Sequence, residues 1–254
     1  MILSMNSSLA ANYKSRSQMA RIVSEDWGAS HLYCSVCDSN QITQSPANSR
    51  AVDFVCPHCK ASYQLKSRMI WNDRKILDAG YQAMMDAIRS DRTPNLLVMH
   101  YSQDWKVQNL LLVPSFFFTA SSIEKRNPLR LTARRAGYVG CNILLSAIAP
   151  EGKLLLVSNG VPTDAKNVHS QYQQVRPLSQ ISVKLRGWVL DVLRIVSSFG
   201  KHPFSLQDVY SYEAQLAALH PNNQNIQAKI RQQLQILRDL NMLDFLGRGK
   251  YALK

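Results

Sequence analysis

The sequence predicts a mixed α/β (α+β) core followed by a small helical domain that ends in a basic β-hairpin. Three observations carry that prediction. Runs of Val and Leu bounded by Pro, Asn and Gly fill the middle of the chain, the pattern of strands buried on both faces. Helical patterning takes over from about Val183. Two Cys-x2-Cys pairs near the N-terminus bring a metal-binding spacing into the first part.

A chain of 254 residues is long for one domain and comfortable for two. The composition shift divides it into residues 1–182 and 183–254. A hydrophobic fraction of 46% supplies ample core, so folding does not need disulfides. Thirty Lys+Arg against seventeen Asp+Glu leave a net charge of +13, the footprint of a polyanion binder. No stretch approaches the roughly 18 uninterrupted apolar residues of a spanning helix, which argues against a membrane role. The N-terminal basic residues follow the apolar ones, unlike a secretory signal. A cytoplasmic location is therefore expected, where thiols stay reduced and clustered cysteines point to metal before disulfide.

Taken in order, residues 12–27 read as a helix with Met19, Ile22 and Val23 apolar. A polar stretch, DSNQITQSPANSR, separates the two cysteine pairs and leads into the strand-like AVDFV. SYQLKS is a second strand, and residues 76–90 (ILDAGYQAMMDAIRS) are patterned as one helix. NLLVMHY, VQNLLLV and KLLLVSNG are the core strands. Beyond Val183 come RGWVLDVLRIVSSF, SLQDVYSYEAQLAALH and NNQNIQAKIRQQLQILRDLNML, three helices. Ser205 with Asp208 forms a capping-box pattern, and Asn222 or Asn223 is placed to cap the third helix. DFLGRGKYALK closes the chain as a hairpin with Gly247-Arg248-Gly249 at its tip. Three helices followed by such a hairpin make a winged helix, here with ten Lys+Arg against five Asp+Glu.

Cys34-x2-Cys37, eighteen residues, then Cys56-x2-Cys59 is the spacing of paired zinc knuckles. Four thiolates close a tetrahedron and leave no position for water, so the Zn²⁺ is structural. His58 lies inside the second pair but four sulfurs suffice, and Cys141 reads as a small buried hydrophobe.

Asp53 lies three residues before the second knuckle, and Gln64 begins five residues after it. On a strand, Gln64 and Lys66 share a face. If the knuckle is the turn between paired strands, an Asp, a second oxygen donor and a Lys meet at one spot. Phosphodiester hydrolysis needs that set. Asp53 and Gln64 would hold Mg²⁺ by oxygen, and Lys66 would orient or deprotonate water, or steady charge on the phosphorus oxygens. Taken alone, the pattern also fits a solvated strand face with a snorkelling lysine.

The helix ARIVSEDW, the knuckles around AVDFVC, the QLKS strand, TARRAGYVGCNI at residues 132–143, KIRQQLQILRD and the closing GRGKY together resemble the DpnI-like restriction endonucleases, nearly end to end. The resemblance implies a PD-(D/E)XK nuclease core carrying a zinc-binding insertion, followed by a winged helix. It implies Mg²⁺-dependent double-strand cleavage at GATC sites bearing N6-methyladenine, with both domains reading the methylated site. The catalytic set then falls on Asp53, Gln64 and Lys66, where the family carries a glutamate in place of Gln64 and a tryptophan in place of Tyr138. Glu25 reads first as a surface acid near a helix end, and second as an extra metal partner or base.

The chain is read as a monomer on double-stranded DNA. Arg134 and Arg135 contact phosphates or guanine edges, and Tyr138 offers a stacking face. In a winged helix the third helix enters the major groove by its N-terminal part. There Asn223, Asn225 and Gln227 suit an adenine edge, Lys229 and Arg231 suit guanine or phosphate, and Arg248 and Lys250 on the wing take phosphates. Ile230, Leu234 and Leu237 face the core. The rival reading is a non-catalytic winged-helix sensor of methylated DNA.

Overall fold

The computed structural model describes residues 1–46, 49 and 51–254. In chain order it forms α1 (Arg16–His31), β1 (Thr43–Gln44), β2 (Phe54–Val55), β3 (Ser62–Arg68), β4 (Lys75–Gly80), α2 (Tyr81–Arg89), β5 (Asn95–Tyr101), β6 (Val107–Val113), β7 (Ile123–Lys125), β8 (Gly140–Leu144), β9 (Leu154–Ser158) and β10 (Val161–Pro162). There follow α3 (Ala165–Val175), α4 (Val183–Ser198), β11 (Phe204–Ser205), α5 (Leu206–Tyr210), α6 (Glu213–Leu219), α7 (Ile226–Asp239), β12 (Leu243–Gly247) and β13 (Lys250–Leu253). Among the described residues no helix is long and apolar enough to cross a membrane. Contacts gather these elements into two compact units.

The first unit comprises residues 1–72, 93–115 and 151–175. Its seven-stranded sheet runs β1-β2-β3-β5-β6-β9-β10, antiparallel except where β3 lies parallel to β5. The Val/Leu runs at its centre are buried as their composition demands: Leu96, Leu97, Val98 and Met99 on β5, Leu110 to Val113 on β6. The helix read over residues 12–27 lies four residues later, at α1. It starts after Ser15, which occupies the N-cap position, and runs on through Trp27 and Gly28 to His31. A Cβ on Gly28 would meet the buried Phe54 ring at 2.6 Å, so glycine lets helix and sheet approach. Of AVDFV only Phe54 and Val55 pair as strand. Ala47, Asn48 and Arg50, inside the polar stretch, lie outside the described residues.

The second unit comprises residues 73–92, 116–150 and 176–254. It holds twenty of the thirty Lys+Arg and ten of the seventeen Asp+Glu, so most of the excess positive charge resides there. The single helix expected over residues 76–90 is instead β4 followed by α2. The ILDAG stretch pairs antiparallel with β8, which buries Ile76 against Ile143, and Gly80 takes the α2 N-cap position. A pairing partner more than sixty residues away overrides the local helical pattern. β7 completes this small sheet on the other side of β8.

α4 to α7 and the three-stranded sheet β11-β13-β12 form a helix-turn-helix-type domain with a terminal hairpin. The predicted second helix splits into α5 and α6 around Ser211 and Tyr212. The Ser205–Asp208 capping box forms as expected, Ser205 Oγ accepting from the Asp208 N–H at 3.2 Å. Ile230, Leu234 and Leu237 are fully buried on the inner face of α7.

Asp191 is the polar anchor of this unit. It is 2% exposed and accepts hydrogen bonds from Ser121 Oγ (2.7 Å) and His220 Nε2 (2.8 Å), and the His220 ring stacks on Trp188 at 3.7 Å. This ties α4 to the turn before α7. Asp191→Ala leaves both donors without their partner, and hydrogen bonds to a charge contribute roughly 1.5–3 kcal/mol each. A loss of about 2–4 kcal/mol is expected from urea denaturation, and a shift indistinguishable from wild type would show that the network carries no stability.

Candidate functional site

The second cysteine pair sits in the turn that joins β2 to β3. Cys56 N–H donates to Ala61 O (2.8 Å) and Lys60 N–H to Cys56 O (3.1 Å), with Lys60 in the left-handed region at φ 63°. Phe54 then lies opposite Tyr63 and Val55 opposite Ser62. One step further along the ladder, Asp53 N–H donates to Tyr63 O at 2.8 Å. The Asp53 carboxylate turns across to β3, where Oδ2 accepts the Leu65 N–H at 2.7 Å. Leu65 is the residue between Gln64 and Lys66. Asp53 is thus held within one residue of both, and Gln64 and Lys66 share a strand face in register with Leu96 and Val98 of β5.

Glu25 reaches the same neighbourhood from α1. It is 8% exposed, so its placement as a surface acid is corrected. Its Oε1 accepts from Arg21 Nε at 2.6 Å and its Oε2 from Gln44 Nε2 at 3.0 Å, while Ser24 Oγ donates to Ser67 Oγ (3.0 Å) and fixes α1 on β3. The Glu25 hydrogen bond, then its charge, push the Arg21 pKa up, and the Asp53 charge adds to the effect. A cleft of about 440 Å³ exposes this set, with Arg21, Glu25, Gln44 and Asp53 in its walls. Gln64 and Lys66 are not among the residues lining that cleft.

The four cysteines converge. Every Sγ lies within 4.8 Å of the others, with 3.5 Å between Cys34 and Cys59 and 3.6 Å between Cys37 and Cys56. A disulfide would bring two sulfurs to about 2.05 Å. Zinc–sulfur bonds of about 2.3 Å set tetrahedron edges near 3.8 Å, close to the separations seen. The set therefore fits a metal such as zinc. Backbone N–H groups of Val36 and Cys37 donate to Cys34 Sγ at 3.4 Å, stabilising a thiolate. Tyr63 Oη lies 3.2 Å from the same sulfur and accepts the Ser35 N–H at 3.1 Å. Burial, then the Cys34 hydrogen bond, push the Tyr63 pKa well up, so its hydroxyl keeps its proton for the sulfur. Tyr63 directly precedes Gln64, so the cysteine cluster grips β3 as well as the turn. His58 is exposed and stands outside the cluster. Cys141 is fully buried on β8, in keeping with its reading as a hydrophobe.

In the second unit, the N-terminal part of α7 is exposed at Gln224, Asn225, Gln227 and Arg231. The cap differs from expectation: Asn225 holds the N-cap position, and Asn223 Oδ1 accepts the Asn225 N–H at 2.8 Å. Asn223 Oδ1 therefore shapes the turn that leads into α7. Gln227 Nε2 donates to Glu213 Oε2 at 2.8 Å, Lys229 Nζ donates to Gln232 Oε1 at 2.8 Å, and Arg231 bonds the Tyr210 hydroxyl. At the hairpin tip Gly247, Arg248 and Gly249 all have positive φ (88°, 50° and 74°), a tight turn that leaves Arg248 and Lys250 exposed. Arg134 and Arg135 are exposed on the segment between β7 and β8, and the Arg135 guanidinium lies 3.9 Å from the Tyr138 ring centre.

Sequence reasoning missed α3, whose polar face hides only Val168, Tyr172 and Val175, and it missed the Arg21–Glu25–Gln44 network. The i, i+4 spacing of Arg21 and Glu25 was the available signal for the latter.

Comparison with known families gives two matches. A family model described as DpnI, the Dam-replacing family, covers residues 1–181. A second, described as the Dam-replacing HTH domain, covers residues 184–253.

Proposed function

The chain belongs to the DpnI, or Dam-replacing, family, and from that premise we propose that it is a methyl-directed type II restriction endonuclease cleaving double-stranded DNA at N6-methyladenine GATC sites. In this reading residues 1–182 are a PD-(D/E)XK nuclease domain and residues 183–254 a winged-helix reader. The observation that carries it is the Asp53 carboxylate held by the Leu65 N–H, between Gln64 and Lys66.

Asp53 and Gln64 offer oxygen donors alone, the chemistry a hard cation such as Mg²⁺ selects. Bound there, Mg²⁺ would polarise the phosphate and lower the pKa of water. The remaining work falls to side chains. Leu65 N–H locks the Asp53 carboxylate in place. Lys66 orients the attacking water or steadies charge on the phosphorus oxygens. Water oxygen bonds to phosphorus, the leaving sugar oxygen departs, and a proton passes to it. Arg21 balances Glu25 so that the cleft does not repel the DNA backbone. Gln64 gives the site one negative charge fewer than a glutamate, so it holds Mg²⁺ less strongly.

The winged helix places α7 in the major groove, with Asn225 and Gln227 toward adenine edges and Lys229 and Arg231 toward guanine or phosphate. Arg248 and Lys250 take phosphates, as do Arg134 and Arg135 beside Tyr138. Burying one methyl yields about 0.8 kcal/mol, or roughly fourfold. Strict selectivity therefore needs two independent readings of the site that multiply.

The rival, a sensor that binds without cutting, rests on the missing charge at Gln64. Purified protein with Mg²⁺ is expected to digest plasmid from Dam-positive cells and spare plasmid from Dam-negative cells. Binding without cutting would establish the sensor, and equal digestion of both plasmids would remove methyl dependence.

A further inference from the structure

The segment joining β7 to β8 is a closed finger rather than a loose loop. The ladder Ile123–Ile143, Glu124–Asn142 and Lys125–Cys141 continues outward through Arg126 N–H to Gly140 O (3.0 Å). Leu129 and Tyr138 then face each other, Leu129 N–H donating to Tyr138 O (2.9 Å) and Gly137 N–H to Leu129 O (3.0 Å). A turn closes the tip, with Ala133 N–H on Arg130 O at 2.9 Å. Lys125, Arg126, Arg130, Arg134 and Arg135 ride on this finger, and no acidic residue stands between Glu124 and Glu151.

Leu131 sits in the tip turn and is 92% exposed, the most exposed of the molecule's large hydrophobic side chains among the described residues. A lone exposed leucine is ordinary. A leucine at a turn-constrained tip is less so, because such positions usually carry Gly, Asn, Asp or Ser. Surrounding cations bring the tip to a polyanion, and an apolar side chain of this size is what DNA-bending proteins insert between base steps.

We propose that Leu131 is a wedge that enters the base stack of bound double-stranded DNA, with the finger's arginines holding the flanking phosphates. This rests on the DNA-binding reading above. The gain from burying the leucine and the cost of unstacking one step are similar in size and offset. Overall affinity should therefore change less than about tenfold when the wedge is removed. Base unstacking is the readout that discriminates.

The test uses the full chain and Dam-methylated duplexes carrying 2-aminopurine at successive steps across and beside the site, with Ca²⁺ replacing Mg²⁺. Binding is followed separately by fluorescence anisotropy of an end label. Wild type is expected to raise 2-aminopurine emission roughly threefold or more at one step. Leu131→Ala should lose that rise while binding and unfolding at the wild-type temperature, and Leu131→Met should keep it. A rise that survives Leu131→Ala overturns the proposal, as does wild type that binds but unstacks no step. Failure of wild type to bind any duplex is a separate result: it defeats the DNA reading itself, and the wedge with it.

Discussion

Lys66→Ala is expected to slow plasmid cleavage by roughly 10³-fold or more while leaving DNA binding within a factor of a few. The asymmetry follows from where Lys66 sits. It lies on β3 two residues beyond Gln64, on the same strand face and adjacent to the backbone N–H that fixes Asp53. A cation there acts on charge that builds only during phosphorus–oxygen exchange, so its removal raises the barrier more than it weakens the complex. On the proposed reading, ground-state affinity would come mainly from phosphate contacts spread over many cations, of which the second unit holds twenty. Asp53→Asn should behave similarly, since it removes the charge proposed to hold the metal but keeps the shape. Initial rates on supercoiled plasmid and a mobility-shift titration separate the two effects. A Lys66→Ala protein that cuts at the wild-type rate would remove Lys66 from the active site.

How far all this was legible in the sequence depends on the range of the interactions concerned. β5 and β6 could be read because strands covered on both faces need nothing beyond a continuous apolar run with breakers at each end, and β9 carries the same kind of run although Leu155 is exposed. The cysteine spacing was equally explicit, since knuckle geometry is local. Ser205 and Asp208 announced their capping box from three residues apart. Where the deciding partner is remote, the reading failed. Ile76 looks helical until β8 pairs with it. Glu25 looks exposed until Gln44 covers it from another segment. Asn223 and Gln227 stand apart from these: their side chains suit an adenine edge, and in the chain by itself the first accepts the Asn225 N–H two residues on while the second donates to Glu213. Composition reveals what a side chain is able to bind, whereas its partner in the folded chain decides what it holds before DNA arrives.

Stripping the metal from the cysteine cluster should abolish cutting even when Mg²⁺ is restored in excess. Zinc held by four thiolates contributes on the order of 10 kcal/mol of binding free energy in small domains. That is comparable with the whole stability of an ordinary domain, about 5–15 kcal/mol. The cluster's neighbours show where the loss would act. Cys56 and Cys59 shape the turn that pairs β2 with β3, and Cys34 is bridged to Tyr63, one residue before Gln64. Without the metal, four crowded thiols have no reason to stay within 4.8 Å, and repulsion between thiolates drives them apart. The β2–β3 register then loosens, and Asp53 loses its fixed distance from Lys66. The prediction has three measurable parts: one zinc per chain by elemental analysis, a lower unfolding temperature after chelation, and recovery of cleavage on adding Zn²⁺ back. Cys56→Ser should reproduce the chelated state without any chelator. Full cleavage by a protein verified to be free of zinc would show that the cluster and the Asp53–Lys66 pair are mechanically independent.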